Sequence, residues 1–375
     1  YGISGDENAL ETATRLVRFV LKPRFWEDVD HAWFSKTGHL HGHVAMLWAL
    51  LELGQVSGDE YLKDFARFGY ERARNLGIPR IGCFAWTTEA CATSDMVALA
   101  VKLSQFGVGD YWDDVEAYIR NQMIEHQLID RDLIQQEVVG RGPKWEPDPP
   151  QVISDRVLDR AIGSFARTPC PTRVYTAWTV CCPVNGSEAL YYAWEGILEH
   201  RDGNVQVNML LNRVSPWLDV SSYLPYEGKV VITNKSANKV LVRVPRWVSD
   251  ADMKLSVNAS EIPNQRFGRY LLVSRLRPGD TITMEFPVVE ETQSYRIEGS
   301  IDLSRWETKE YTCTFKGNTL IDIDPRDKTL ERDHGYMADP TAHGSIPIYL
   351  RDHFKANEAP MKRVSRFVSD KAPTW

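Results

Sequence analysis

Two cysteines stand side by side at Cys181 and Cys182, followed at once by Pro183 and then by the pair Asn185-Gly186. A regular strand would point neighbouring side chains to opposite faces and separate the two thiols. Pro183 instead pushes Cys182 toward an extended backbone, and Asn-Gly favours a turn. The expectation is a loop entering the amphipathic helix of "SEALYYAWEGILEH", with a kinked backbone that can aim both thiols at one point. A second pair of donors lies upstream, Glu89 and Cys91 in "TTEAC". On a regular helix residues two apart diverge by about 200°. In the first turn after a cap at Thr88 the backbone is not yet fully helical, and both side chains can face one centre. Three sulfurs and one carboxylate oxygen form a donor set suited to tetrahedral Zn²⁺. Zinc would hold the thiols deprotonated at neutral pH and so turn one of them into a nucleophile. Spacing alone leaves other readings open. Buried cysteine is commonly a small hydrophobe, and Cys83 is near enough to Glu89 to rival it as a ligand. Cys170 and Cys313 have no partner pattern and read as structural.

The elements that must position these residues fall into two periods. From residue 8 to about 130 the chain reads helical. "ENALETATRLVRFVLK" places Leu10, Ala13, Leu16, Val17 and Val20 on one face. "HGHVAMLWALLELGQVSGDEYLKDFARFGYERARNLG" reads as two helices parted at "VSGDE", where Ser57 or Asp59 can cap the second. "TTEACATSDMVALAVKLSQFG" and "DYWDDVEAYIRNQMIEHQLID" are two more. From 205 the period changes to two. "GNVQVNMLLN", "GKVVITNK", "NKVLVRVPRW", "MKLSVNAS", "RYLLVSRL" and "DTITMEFPV" are short alternating segments bounded by Gly, Asn, Asp and Pro, the pattern of an antiparallel β-sandwich. Between them, 131–180 contains "GRGPKWEPDPPQ", which excludes regular structure there. The expected division is a helical domain over 1–200 with that irregular bridge, a β-sandwich over 201–295, and an irregular extension over 296–375.

Bulk properties exclude several function classes. The chain has 375 residues, 43% of them hydrophobic, enough for a substantial core. Its net charge is −7, with both signs interspersed and no basic face beyond the short "MKRVSRF", so no nucleic-acid partner is expected. The longest apolar run, "VAMLWALL", is too short to span a bilayer. Six cysteines in a chain of this length do not make a disulfide scaffold. With no signal pattern at the start, reduced thiols point to the cytoplasm. Twelve Trp, 15 Tyr and 13 Phe are many for a helical protein; many of them must be core, and any Trp beyond core needs would suit stacking on sugar rings.

Several of these segments, in order, resemble the zinc-dependent, cysteine-nucleophile β-L-arabinofuranosidases of glycoside hydrolase family 127. "GHLHGHVAMLWALLELGQVSGDE" is similar to that family's Gly-His segment, helix and Thr-Gly-Asp turn; "TEAC" to its Glu-Thr-Cys; "DYWDDVEAYIRNQM" to its Tyr-x-Asp-x-x-Glu-x-x-x-x-Asn helix; "CCPVNG" to its Cys-Cys-Pro-x-Asn. The resemblance spans residues 38 to about 290. It implies the C-terminal part of an (α/α)₆ barrel followed by a β-sandwich, an α+β multidomain fold. It implies Glu89, Cys91, Cys181 and Cys182 as zinc ligands and Cys181 also as the nucleophile of a retaining mechanism. His39 and Asn121 fall on substrate-binding positions. The family's acid/base glutamate falls on Ala73, which leaves Glu116 as the best substitute by position, ahead of Glu137, Glu146 and Asp148 in the irregular bridge. The match begins about midway through that barrel, which implies either that the chain is a fragment or that a homo-oligomer or partner chain completes the barrel and covers apolar helix faces that would otherwise lie open. Two rival functions go with these residues: a non-catalytic homologue that keeps zinc as a structural staple and binds carbohydrate or a partner chain, and a lyase-like zinc enzyme on a helical toroid.

Overall fold

A computed structural model of the chain describes residues 1–23, 26–28, 33–34, 40–84, 89–128, 131, 159, 162–166, 181–297 and 308–325. They fall into two compact units, the first built mainly from Tyr1–Leu190 and the second from Tyr191–Ser294 with Thr312–Ile323. His39, Thr88, Cys170 and most of the 131–180 bridge lie outside the described residues.

The first unit runs α1 (Glu7–Val20), β1 (Trp26–Asp28), β2 (Trp33–Phe34), α2 (Leu40–Ser57), α3 (Glu60–Asn75), β3 (Gly77–Ile78), β4 (Cys83–Phe84), α4 (Ala90–Gln105), α5 (Trp112–Tyr118), a π-helical turn (Ile119–Met123), α6 (Ile124–His126) and the start of α7 (Cys182–Gly196). Asp59 caps α3 as the sequence suggests, its carboxylate accepting from the backbone N–H of Tyr61 and Leu62. α2 and α3 then pack closely: a Cβ on Gly69 would meet Leu47 Cδ1 at 2.5 Å. α4 is buried on every face from Ala90 to Val101. It is the centre of this unit's core, which explains its run of Ala, Val and Leu with no polar stripe. A buried ion pair ties α3 to α5. Arg74 donates to both Asp114 carboxylate oxygens, at 2.7 and 3.1 Å, and the Tyr70 hydroxyl donates to Oδ2 at 2.9 Å.

The expected loop before α7 is not a loop. The helix begins at Cys182 and takes Pro183, Asn185 and Gly186 into its first turn, with Val184 and Asn185 N–H donating to the Cys181 carbonyl at 3.2 and 3.0 Å. Proline's fixed φ and missing N–H suit the first turn of a helix, so Pro183 starts α7 rather than kinking a loop. Gly186 serves a close approach instead of a turn, since a Cβ there would lie 2.2 Å from Phe165 Cγ. Phe165 is itself held by the backbone exchange of 163–166 with His126 and Leu128. α7 also stops earlier than its apolar pattern suggests: Leu198–Arg201 is a strand, paired antiparallel with the next.

The second unit holds β5 (Leu198–Arg201), β6 (Asn204–Val207), β7 (Arg213–Val214), β8 (Leu218–Ser222), β9 (Lys229–Asn234), β10 (Lys239–Arg243), β11 (Lys254–Val257), β12 (Ser260–Glu261), β13 (Arg266–Phe267), β14 (Tyr270–Ser274) and β15 (Thr281–Glu285). They form a five-stranded sheet, β13-β14-β10-β6-β5, and a six-stranded sheet, β12-β11-β15-β9-β8-β7. Alternating residues are buried, such as Val205 and Val207 on β6, Val240 and Val242 on β10, and Val230 and Ile232 on β9. The pairing is antiparallel except between β6 and β10, which run parallel. The chain leaves β6 for three strands of the other sheet before it returns as β10, and that crossover brings β10 back in the same direction. A three-stranded sheet joins β16 (Glu290–Ile297), β17 (Lys309–Lys316) and β18 (Thr319–Asp324). Residues 309–324 were expected to be irregular. Their alternation is nevertheless clear, with Tyr311, Cys313 and Phe315 buried while Thr312 and Thr314 hydrogen-bond to Ser294 and Thr292.

Candidate metal centre

Glu89 is the N-cap of α4, with an extended backbone (φ −108°, ψ 135°), and Cys91 is the second residue of that helix. The extended cap residue escapes the helical rotation that would part the two side chains. On α7, Cys182 is the first helical residue and Cys181 the one before it. The N-termini of α4 and α7 therefore meet at these four residues. Both helix ends present positive partial charge, which favours anionic sulfur and oxygen.

The four ligand atoms lie within 4.8 Å of one another. Cys91 and Cys182 sulfurs are 3.3 Å apart, and Cys182 Sγ is 3.8 Å from Glu89 Oε1. Tetrahedral coordination with metal–sulfur bonds of about 2.3 Å would set two sulfurs about 3.8 Å apart. The spacings and the donor set both fit a thiophilic divalent ion, and Glu89, Cys91, Cys181 and Cys182 could hold one. The crowding of Cys182 above all, and then burial, holds the Cys91 thiol far above the usual thiol range, against an opposing hydrogen bond from Asn185. A coordinated cation would reverse that and keep the sulfur deprotonated. Burial is uneven: Glu89, Cys91 and Cys182 are buried, and Cys181 is exposed.

The remaining residues of interest are distributed around the unit. Glu116 is buried on α5 and its carboxylate accepts from Arg120 Nε at 2.8 Å, one turn along the chain. Asn121 sits in the π-helical turn, buried, with its amide donating to the Arg80 carbonyl at 2.8 Å. Cys83 does not join the cluster. Its thiol lies 2.7 Å from Gln122 Oε1, and Gln122 in turn contacts His126, whose other ring nitrogen reaches the Ala166 carbonyl. The π-helical turn makes this buried chain of polar groups by shifting Asn121 and Gln122 inward.

Sequence reading missed two groups beside the cluster. His41, the second residue of α2, pairs through Nδ1 with Asp95 on α4. Asp95 lies one turn beyond Cys91, an i, i+4 relation that was readable, but nothing local pointed to a histidine 54 residues away in sequence. The hydrogen bond that His41 donates to Asp95 comes first among the effects on His41. With the negative charges of Asp95, Glu89 and Cys182 it raises the imidazole pKa above its ordinary value, against the opposing effect of burial. Burial pushes the Asp95 carboxyl up as well, by more than His41 draws it down.

No family model matches the chain, and no curated protein matches it. Solved structures do. A family 127 β-L-arabinofuranosidase from Geobacillus stearothermophilus T6 aligns with a TM-score of 0.54 at 16% identity, over 85% of this chain and 56% of the other. A second family 127 β-arabinofuranosidase aligns with a TM-score of 0.60 at 16% identity, over 85% and 54%. A third structure, described as a glycoside hydrolase, aligns at 0.55 and 14%, over 85% and 58%. The chain shares its fold with these hydrolases and spans little more than half their length.

Proposed function

We propose that this chain is a divergent retaining glycoside hydrolase of the β-L-arabinofuranosidase type, with Zn²⁺ held by Glu89, Cys91, Cys181 and Cys182 and the Cys181 thiolate as nucleophile. One observation carries the reading: four donors of zinc-binding type converge, and the sulfur required to attack is the exposed one. Bound zinc would supply the positive charge that keeps the sulfurs anionic at neutral pH. The N-termini of α4 and α7 act in the same direction. The Cys181 sulfur would bond to the anomeric carbon as the glycosidic oxygen departs, and water would then displace the sulfur, so that configuration is retained. The substrate would be an L-arabinofuranoside or a related sugar of a plant polysaccharide, with His39 and Asn121 among its contacts. In the finer fold reading, the helical unit is the C-terminal part of an (α/α)₆ barrel and the two larger sheets form the sandwich.

Ala73, at the position of the family's acid/base glutamate, favours a second reading: a non-catalytic homologue with a closed, structural zinc site that binds carbohydrate or a partner chain. Metal analysis coupled to thiol alkylation separates the two. The catalytic reading expects bound zinc and a Cys181 that is alkylated faster than Cys91 or Cys182. A zinc-free protein whose Cys181 reacts no faster than a free thiol sinks it. Bound zinc with uniformly protected thiols supports the structural reading.

A further inference from the structure

A retaining mechanism needs a group that protonates the departing oxygen and later deprotonates water. Ala73 cannot do this. Glu116 is charge-paired with Arg120, and only 7% of its side chain is exposed. His41 differs on each count. It sits at the N-terminal end of α2, 31% of its side chain is exposed, and its Nδ1 is fixed by Asp95, which belongs to the same helix as Glu89 and Cys91. A carboxylate on one imidazole nitrogen fixes the ring's tautomer and orientation and directs proton transfer through the other.

We propose that His41 is the proton-transfer group of this site, with Asp95 as its positioning residue; this rests on the glycosidase reading. In the first step the Cys181 sulfur bonds to the anomeric carbon, and the bond from that carbon to the leaving oxygen breaks with its electron pair going to oxygen. The proton on His41 Nε2 passes to that oxygen. In the second step the neutral Nε2 takes a proton from water, the water oxygen bonds to the anomeric carbon, and the carbon–sulfur bond breaks with its pair returning to Cys181. Both groups end as they began.

The surrounding charges suit this cycle. α4 and its cap contribute Glu89, Cys91 and Asp95, and α7 with the residue before it contributes Cys181, Cys182 and Glu188, which acts on Asp95. With a divalent cation held by Glu89, Cys91, Cys181 and Cys182, the centre would carry net negative charge, which would favour a neighbouring imidazolium. His43, two residues further along α2, is no rival: burial first, and the charge of Arg72 next, push its pKa down to about 4, so it is neutral at pH 7.

The test uses the zinc-loaded full chain with phenyl and 2,4-dinitrophenyl β-L-arabinofuranosides. His41→Ala should lower kcat/KM by roughly 10²–10⁴-fold on the phenyl substrate. The loss should be far smaller on the dinitrophenyl substrate, whose leaving group needs no proton, and azide should restore turnover by replacing the activated water. Asp95→Asn should cause a smaller loss and shift the His41 imidazole titration, followed by NMR, to lower pH. An active parent protein whose His41→Ala variant is unimpaired, or loses the same factor on both substrates without azide rescue, overturns the role of His41 alone. A parent protein inert on both substrates, or one whose Cys181→Ala variant keeps its turnover, overturns the glycosidase reading and this one with it. Should His41→Ala fail to hold zinc, the titration in the unsubstituted protein decides. A His41 with no titration between about pH 5 and 9 contradicts the proposal.

Discussion

The helical unit buries two polar centres, and they are built on opposite principles. Asp114 is answered within the chain: a guanidinium grips both its oxygens and a phenol adds a third donor. The cluster of Glu89, Cys91, Cys181 and Cys182 gathers groups of one kind, all suited to become anions, at two helix N-termini. The first arrangement is self-complementary and holds α3 to α5. The second is complementary to a cation, and one of its sulfurs faces outward. Burial of polar groups is therefore not one signal but two, and the charge balance of each centre tells which is which.

Exchanging the two kinds of damage is the sharpest way to break that comparison. Cys181→Ala should reduce glycoside turnover by on the order of 10⁴-fold or more, as loss of a nucleophile does elsewhere. Asp114→Ala should instead destabilise the fold by about 1–3 kcal/mol, because the half-buried Arg74 guanidinium and the buried Tyr70 hydroxyl both lose their acceptor. Denaturant unfolding would record that loss, and a folded remainder with normal activity per zinc is expected. If Asp114→Ala removes activity without lowering stability, the two centres have been read the wrong way round.

A chelator should act on the cluster alone. Zinc present at 100 times its dissociation constant stabilises a binding-competent fold by about 2.7 kcal/mol. Melting with and without chelator should show a loss of that order, recovered by added zinc and absent in Cys91→Ala. Gly186→Ala probes the scaffold between the centres. Its Cβ would meet Phe165 at 2.2 Å, so overpacking should cost about 1–3 kcal/mol, offset by roughly 1 kcal/mol of better helix propensity. Unfolding of Gly186→Ala with and without Phe165→Leu checks this, since the smaller side chain should recover part of the loss.

The smallest effect expected is on stability against pH in the zinc-free protein. The folded pKa of His41 is raised, so its contribution is complete below the unfolded value of about 6.5 and is lost as pH rises through the folded value. Unfolding free energy should therefore decline as pH rises through that window, and Asp95→Asn should flatten the slope.

The convergence of Glu89, Cys91, Cys181 and Cys182 was legible in the sequence, although the local geometry behind it was only half foreseen. Glu89 does escape the helix as an extended cap, whereas Cys181 and Cys182 converge by starting a helix rather than by preceding one. Pro183 is compatible with either a kinked loop or a first helical turn, and local pattern does not choose between them. The alternating segments from 205 to 289 gave six strands correctly. The parallel step from β6 to β10 was not legible, because register between distant strands leaves no trace in either one. His41 and Asp95 were missed for the same reason: each is ordinary in its own helix, and their meaning lies in the pairing.

The central claim is that the Cys181 sulfur carries the sugar. Rapid acid quench of the zinc-loaded protein during turnover of 2,4-dinitrophenyl β-L-arabinofuranoside, followed by peptide mass analysis, tests it directly. The account predicts a gain of one anhydropentose on Cys181 that disappears as substrate is exhausted. Turnover with an unmodified Cys181, or with the sugar on another residue, would contradict it.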